Sequence, residues 1–301
     1  MVGTNREPNG GDVVSPGSPG GQLVLVATPL GNLGDLSRRA LELLGAADVV
    51  YCEDTRHSRT LFSAFGIAVS GRLRALHEHN EAAECAHVVE RVGAGQLVVL
   101  VSDAGTPGIS DPGQRVVAAV SGAGLRVSCA PGPSAAIAAL TISGLSTERF
   151  VVEGFLPRRL GERAARFDEW ATQERTIVFY ESPQRLARVL EELAGRFGER
   201  RVAVARELTK VHEEVVRGTV EEVGALFATR DVRGEVVVVL EGARAVAPPA
   251  LRDVRAALAD LFREGSSTRD AVSHVAETLG ATRRDVYAVA LELRRGEPSG
   301  L

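Results

Sequence analysis

The chain has 301 residues, 45% of them hydrophobic and 25% charged, and a formal net charge of −4, the balance of an ordinary folded globular protein. That length predicts two domains of ~100–200 residues, and no apolar run approaches the ~20 residues of a membrane-spanning helix. The acidic balance excludes a general nucleic-acid binder, so any nucleic acid has to be held by local arginine patches.

Cys52, Cys85 and Cys129 lie far apart with no CxxC pair, which fits reduced thiols rather than a disulfide framework or a cysteine-rich zinc site. Of 35 basic residues only Lys210 is lysine, and the other 34 are arginine.

Residues 1–21 are rich in Gly and Pro and carry no apolar signal-peptide core. They read as a disordered tail on an unexported, cytoplasmic protein. From residue 22 onward short β-branched runs alternate with amphipathic stretches. Strands are predicted at 23–27, 49–52, 97–101 and 126–128, with helical segments at 36–44, 81–92 and 114–123. This is the pattern of a mostly parallel sheet covered by helices. At "CAPGPSAAIAAL" it breaks: Pro131, Gly132 and Pro133 form a rigid elbow, and Ser134 is placed to cap an Ala-rich helix. A second α/β half follows, with strands predicted at 150–153, 176–180, 202–206, 214–218 and 235–240. "ARAVAPPA" is a linker by its paired prolines, and residues 251–295 are helical, ending in two helices joined by a Gly-centred turn.

The expected architecture is therefore α/β. It has an N-terminal α/β domain (22–132), a C-terminal α/β domain (133–245) with mostly parallel or mixed sheets, a ligand cleft between them, and a helical extension (246–301). An eight-fold barrel also alternates strands and helices, but the prolyl elbow favours two separate sheets.

Three Gly- and Pro-rich loops follow the strands ending near Ala27, Val101 and Ala130. No Gly-Lys-Ser/Thr exists, which excludes a Walker-type phosphate loop, and "TPLGNLGDL" is not a GxGxxG dinucleotide fingerprint. Taken alone, that stretch is also what a strand-to-helix turn capped by Asp35 or Ser37 looks like. Three such loops at the carboxyl ends of parallel strands occupy the place where ligands bind. The length of "LVSDAGTPGISDPG" exceeds what a turn requires, and suits backbone that must approach something bulky.

"VATPLGNLGDLSRRALELL", "YCEDTRHSRTLF", "LHEHNE", "VSDAGTPGISDPG", "PGPSAAIAAL", "GFLPRR", "VFYESPQRL", "ARELTKVHEEVVRGT" and "GEVVVVLEG" occur in this order between Gln22 and Gly242. Together they resemble the ribosomal RNA small subunit methyltransferase I family, a branch of the tetrapyrrole-methylase-like S-adenosylmethionine enzymes. The resemblance implies S-adenosylmethionine in the cleft, a homodimer, and the 2′-hydroxyl of a cytidine in 16S rRNA of the small ribosomal subunit as methyl acceptor, with no membrane or DNA partner. By motif position it implies that Pro29, Leu30 and Gly31, then Asp103, Gly105, Thr106 and Pro107, and then Ser134 and Ala135 bind the cofactor from the first domain, with Tyr180 and Glu181 closing from the second. Two other readings are kept beside it: a small-molecule methyltransferase acting on a tetrapyrrole, and a non-catalytic RNA-binding or ribosome assembly factor.

Candidates for taking the hydroxyl proton are Lys210, Glu207, Glu53 and Asp54. A desolvated lysine can lose its proton where arginine cannot, which gives the lone lysine its interest. It equally suits a simple ion pair with Glu207 or Glu213. "EDTR" offers Arg56 to a phosphate, or else Asp54 or Thr55 as a helix cap. His77, His79 and Asn80 are expected on the substrate side or in a structural role. A metal site built from His77, His79, Cys85 and His87 is disfavoured, because Asn80 looks like a helix cap and nothing turns Cys85 and His87 back. Arg158 and Arg159 are candidate phosphate ligands. Arg283 and Arg284 in the tail either contact RNA or belong to a packing appendage, with Asp270, Glu277 and Asp285 diluting the positive charge.

Overall fold

The computed structural model describes residues 20–69, 71–244 and 251–296. Most of the expected N-terminal tail and of the proline linker lies outside these. The residues up to Ala243 form one compact unit and those from Arg244 a second.

The first sheet is built from β1 (Gln22–Val26), β2 (Val49–Cys52), β3 (Leu73–Ala75), β4 (Leu97–Val101) and β5 (Arg126–Ala130). All pairings are parallel, in the order β3-β2-β4-β1-β5. The strands are continuous apolar runs because both faces are covered. Val24, Val26, Val50 and Val99 point to α1 (Arg38–Ala46) and α2 (Thr55–Ala64), while Leu23, Tyr51, Val98 and Leu100 point to α3 (Glu81–Gly93) and α4 (Gln114–Gly122). Ser37 caps α1 by accepting from the Ala40 N–H at 3.1 Å, so of the two caps expected there Ser37 does the work.

The second sheet comprises β6 (Phe150–Phe155), β7 (Thr176–Glu181), β8 (Arg201–Arg206), β9 (Glu214–Thr219) and β10 (Val236–Leu240), in the order β6-β7-β10-β8-β9. Only β6 and β7 run parallel; the other pairings are antiparallel. One face packs on α6 (Leu160–Trp170), α7 (Pro183–Phe197) and α8 (Val220–Phe227). The other face receives α5 (Ala135–Ser143), where Ala136 and Ala139 let the helix approach Val178, Ala203 and Val239 closely. Leu30, from the loop after β1, belongs to this same cluster, so the first loop reaches across to the second sheet.

The second unit is three helices, α9 (Leu251–Arg263), α10 (Thr268–Leu279) and α11 (Arg283–Gly296), around Val254, Leu258, Ala271, Val275, Val286 and Ala290. Ser267 caps α10, the Thr282 hydroxyl accepts from the Asp285 N–H, and Gly280 turns between them at φ 65°. Arg283 and Arg284 are exposed.

Candidate active site

The three glycine loops leave β4, β1 and β5, which are neighbours in the first sheet. They are tied into one wall. The Thr28 N–H donates to the Gly105 carbonyl at 2.8 Å, and the Gly105 N–H returns to the Thr28 carbonyl at 3.0 Å. The Thr28 and Thr106 hydroxyls donate to the carbonyls of Ser102 and Pro133, each at 3.0 Å. Gly105 sits at φ 81°, and a Cβ there would lie 3.3 Å from Leu30 Cδ2. Glycine is needed here for its conformation and to keep the loop flush against Leu30.

Opposite this wall stand Phe155 of β6, Tyr180 and Glu181 at the end of β7, Glu235 just before β10, and Val237 within it. The cavity between them has a volume of about 300 Å³, at the small end of the ~300–1,000 Å³ typical of small-ligand sites. The Phe155 and Tyr180 rings meet at a tilt of 44°, 5.3 Å between centroids. Among the described residues, the three non-glycine residues with φ in the left-handed range are Ser110, Glu207 and Thr209. Ser110 lines the cavity, and the other two lie in the turn just before Lys210. Backbone strain of this kind is held in place by function-bearing surroundings.

Two acidic residues that sequence reasoning did not single out shape the site. Asp111, in the loop after β4, lines the cavity. Burial, reinforced by the charges of Glu53, Asp103 and Glu235, pushes its carboxyl up to about 7. Glu81, at the start of α3, is buried, and its Oε1 accepts from the N–H groups of Gly113 and Arg115, each at 2.9 Å. It thus caps α4 from another element and fixes the end of the Asp111 loop. Both residues lie inside quoted motifs, but their partners are remote in sequence.

Of the residues expected to bind cofactor, Leu30, Gly105, Thr106, Ser134, Ala135, Tyr180 and Glu181 line the cavity. Pro29, Gly31 and Asp103 line a second cavity that adjoins it, and Pro107 is buried in the loop and lines neither. Ser134 occupies the capping position of α5 without a capping hydrogen bond, contrary to the expected cap. Glu181 is 2% exposed; burial holds its carboxyl above the ordinary range against the pull of the Ser182 N–H and Arg185.

Lys210 Nζ lies 2.9 Å from Glu207 Oε1 and 3.0 Å from Glu235 Oε2. Burial works against its charge, but the two carboxylates outweigh it and hold the ammonium above the ordinary lysine range. Of the two roles expected for Lys210, this arrangement is that of the ion pair, with Glu207 and Glu235 rather than Glu213 as its partners. Glu207 is held down, first by its hydrogen bond from Lys210. Asp54 is exposed and caps α2, accepting from the Arg56 N–H at 2.7 Å. The carboxyl of Glu53 is raised, by burial first and then by the charge of Asp103.

The substrate-side candidates do not converge on one spot. Asn80 has the capping position of α3 but no capping bond; its Oδ1 accepts from the His77 N–H and its Nδ2 donates to the Ala75 carbonyl, at 2.8 and 2.9 Å. It therefore ties the turn together rather than offering groups to a ligand. His77 and His79 meet edge to face at 6.0 Å. Cys85 and His87 lie on α3, where they contact the Glu81 carbonyl and Glu84, and among the described residues no cluster is arranged to hold a metal ion. Arg158 and Arg159 are exposed at the start of α6. The loop carrying them is pinned by the buried Arg163, which pairs in two hydrogen bonds of 2.7 Å with Glu192 and donates to the Pro157 carbonyl.

Residues 22–224 match the family model described as tetrapyrrole (corrin/porphyrin) methylases, and residues 248–294 match one described as the RsmI C-terminal HTH domain. The chain is 46% identical over 278 residues to "Ribosomal RNA small subunit methyltransferase I" of Mycobacterium tuberculosis (strain CDC 1551 / Oshkosh), covering 91% of this chain and 96% of the relative. It is 43% identical over 276 residues to the Synechocystis protein of the same name, covering 91% and 98%. Among solved structures it resembles the methyltransferase CobJ, with a TM-score of 0.55 at 22% identity over 74% of this chain and 95% of that one. It also resembles diphthine synthase, with a TM-score of 0.54 at 16% identity over 73% and 89%. At those identities the structures show a shared fold.

Proposed function

The chain belongs to the ribosomal RNA small subunit methyltransferase I family, and from that premise we propose that it methylates the 2′-hydroxyl of a cytidine in 16S ribosomal RNA, with S-adenosylmethionine as donor. The observation that carries this reading is the cavity of about 300 Å³ walled by three backbone loops from adjacent strand ends.

The residues present fit such a cofactor. Leu30, Ala104, Ala135 and Val237 give an apolar floor, and Thr106, Ser134, Asp111 and Glu181 give a few placed polar groups, as a charged nucleoside requires. When bound, S-adenosylmethionine supplies a methyl group already activated on a sulfonium. Leu30, Gly105, Thr106, Ser134 and Ala135 hold one side of it, and Tyr180 and Glu181 the other. What remains for the chain is alignment, worth ~7–11 kcal/mol in favourable cases, exclusion of water, and acceptance of one proton. Phe155, tilted against Tyr180, adds apolar surface to the cavity lining. Asp111 accepts the hydroxyl proton in this reading: it lines the cavity, and its pKa of about 7 is near the working pH, as a general base needs. Lys210 keeps Glu207 charged and holds the Glu207 and Glu235 carboxylates in place.

Arg56, Arg158 and Arg159, and Arg283 and Arg284 of the helical unit, are exposed and serve phosphate contacts in this reading. The protein works as a homodimer in the cytoplasm; Phe150 and Val152 on the edge strand β6, 39% and 36% exposed, support a covered edge. Incubation with methyl-labelled donor and small ribosomal subunits, followed by mapping of the label, tests the proposal. Label on a cytidine 2′-oxygen is expected; label confined to small molecules, or none at all, contradicts it.

A further inference from the structure

Resting on that reading, we infer that the turn between β8 and β9 is a docking tip for RNA bases: Val211 and His212 pack against the nucleotides that flank the methylated one. The seven residues 207–213 joining these strands are tied down at almost every position. Leu208 is buried in the layer that α5 makes with the second sheet. The Glu207 N–H donates to the Glu235 carbonyl at 3.0 Å, and the Thr209 N–H to Glu213 Oε2 at 2.6 Å. Lys210 is held between Glu207 and Glu235. The Glu213 N–H donates to the Lys210 carbonyl at 3.2 Å, closing a four-residue turn with Val211 and His212 at its two central positions. Arg206 donates to the His212 carbonyl at 3.1 Å.

This fixed backbone presents two side chains to solvent. Val211 is 95% exposed, and the exposed His212 imidazole has no hydrogen-bond, ion-pair or ring partner among the described residues. A single exposed apolar residue is ordinary on a protein surface. On a loose loop it can fold back for cover. Here Glu207 and Thr209 sit in the left-handed region at φ 51° and 66°, and the clamped turn keeps Val211 outward. Its place is equally particular. Lys210, the next residue back, lines the cavity adjoining the cofactor cavity, and Glu235 lines both, so the tip stands at the rim past which a bound RNA strand runs. The charges around it select bases over phosphates. Arg206 and Arg230 are paired with Glu214, and Lys210 with two carboxylates, which leaves a phosphate no unpaired arginine or lysine within 206–214. An apolar side chain can instead wedge between two bases, and a flat imidazole can stack on one.

Two measurements on the full chain test this. In the first, a photoreactive benzoylphenylalanine replaces Val211, and the protein is irradiated with small ribosomal subunits and S-adenosylhomocysteine. Crosslinks are expected on the ribosomal RNA within about two nucleotides of the methylated cytidine, one base step to either side. In the second, Val211→Asp and His212→Ala should each lower kcat/KM for small subunits by about 10–100-fold, the loss of one stacked base. Both should leave urea unfolding unchanged and calorimetric affinity for S-adenosylhomocysteine within about twofold, as for independent sites. Val211→Ile and His212→Phe keep the apolar wedge and the flat ring, and should stay within about threefold of the wild type. Unaltered kcat/KM in the Asp and Ala variants would overturn the proposal. So would crosslinks confined to a second copy of the chain or to RNA remote from that cytidine, and so would an S-adenosylhomocysteine affinity lowered about tenfold or more. If the wild-type protein transfers no methyl to ribosomal RNA, the functional reading fails instead, and the crosslink still decides whether this turn touches RNA.

Discussion

Replacing Asp111 with Asn removes a half-buried carboxyl that faces the charges of Glu53, Asp103 and Glu235. Folding raises its pKa to about 7, so between about pH 4 and 7 the folded chain binds more protons than the unfolded one. The Asp111 contribution to stability is therefore fully present below about pH 4, is lost as pH rises through this window, and levels off above about pH 7. The span corresponds to about 4 kcal/mol at most, and to about 2 kcal/mol once solvent screening at the open cavity mouth is allowed for. Asp111→Asn should match the wild type at pH 4 and exceed its stability by about 2 kcal/mol at pH 8, read from urea unfolding at each pH. Turnover should fall about 10²–10⁴-fold with S-adenosylhomocysteine affinity largely kept. A stability difference that is constant from pH 4 to 8 would refute the electrostatic reasoning. Full turnover would refute Asp111 as the proton acceptor.

Glu81→Ala leaves the Gly113 and Arg115 N–H groups unpartnered and should cost about 1–2 kcal/mol in unfolding experiments, with weakened S-adenosylhomocysteine binding through the Asp111 loop; Glu81→Gln, which keeps an acceptor oxygen, should recover most of both. Arg163→Ala leaves Glu192 with Arg188 as its remaining partner and frees two loop carbonyls, and should cost about 1–3 kcal/mol by urea denaturation. Glu192 is held low by Arg163, so the contribution of this pair is present above the ordinary glutamate pKa and is lost as pH falls through the lowered value. Lys210→Arg keeps a cation between Glu207 and Glu235 and should retain turnover within about tenfold, whereas Lys210→Met should lose about 100-fold. Abolished turnover in the arginine variant, with cofactor affinity intact, would return the proton-acceptor role to lysine.

The site's backbone was the most legible part of the sequence. Gly, Pro and Asp following the β-branched runs at 22–26, 97–101 and 126–130 mark loops at strand ends, and the sheet order brings those ends side by side. The three-residue strand Leu73–Ala75 escaped because it is too short to show alternation and its side chains are half-buried or exposed. The second sheet's antiparallel pairings were not visible, since β-branched runs look alike in either direction. Side-chain chemistry was less legible than backbone. The Asp111 carboxyl is perturbed by groups 58 positions before it and 124 after it (Glu53 and Glu235). Composition pointed at Lys210, but its protonation depends on Glu207 and also on Glu235, which sits just before another strand. Asn80 and Ser134 occupy capping positions, yet tertiary contacts and cavity lining claim them instead.

The most direct test is a crystal structure with S-adenosylhomocysteine. The compound should lie between the wall of Leu30, Gly105 and Thr106 and the side formed by Tyr180, Glu181 and Val237. Density elsewhere, or a cavity closed by those loops with the compound excluded, would contradict the account.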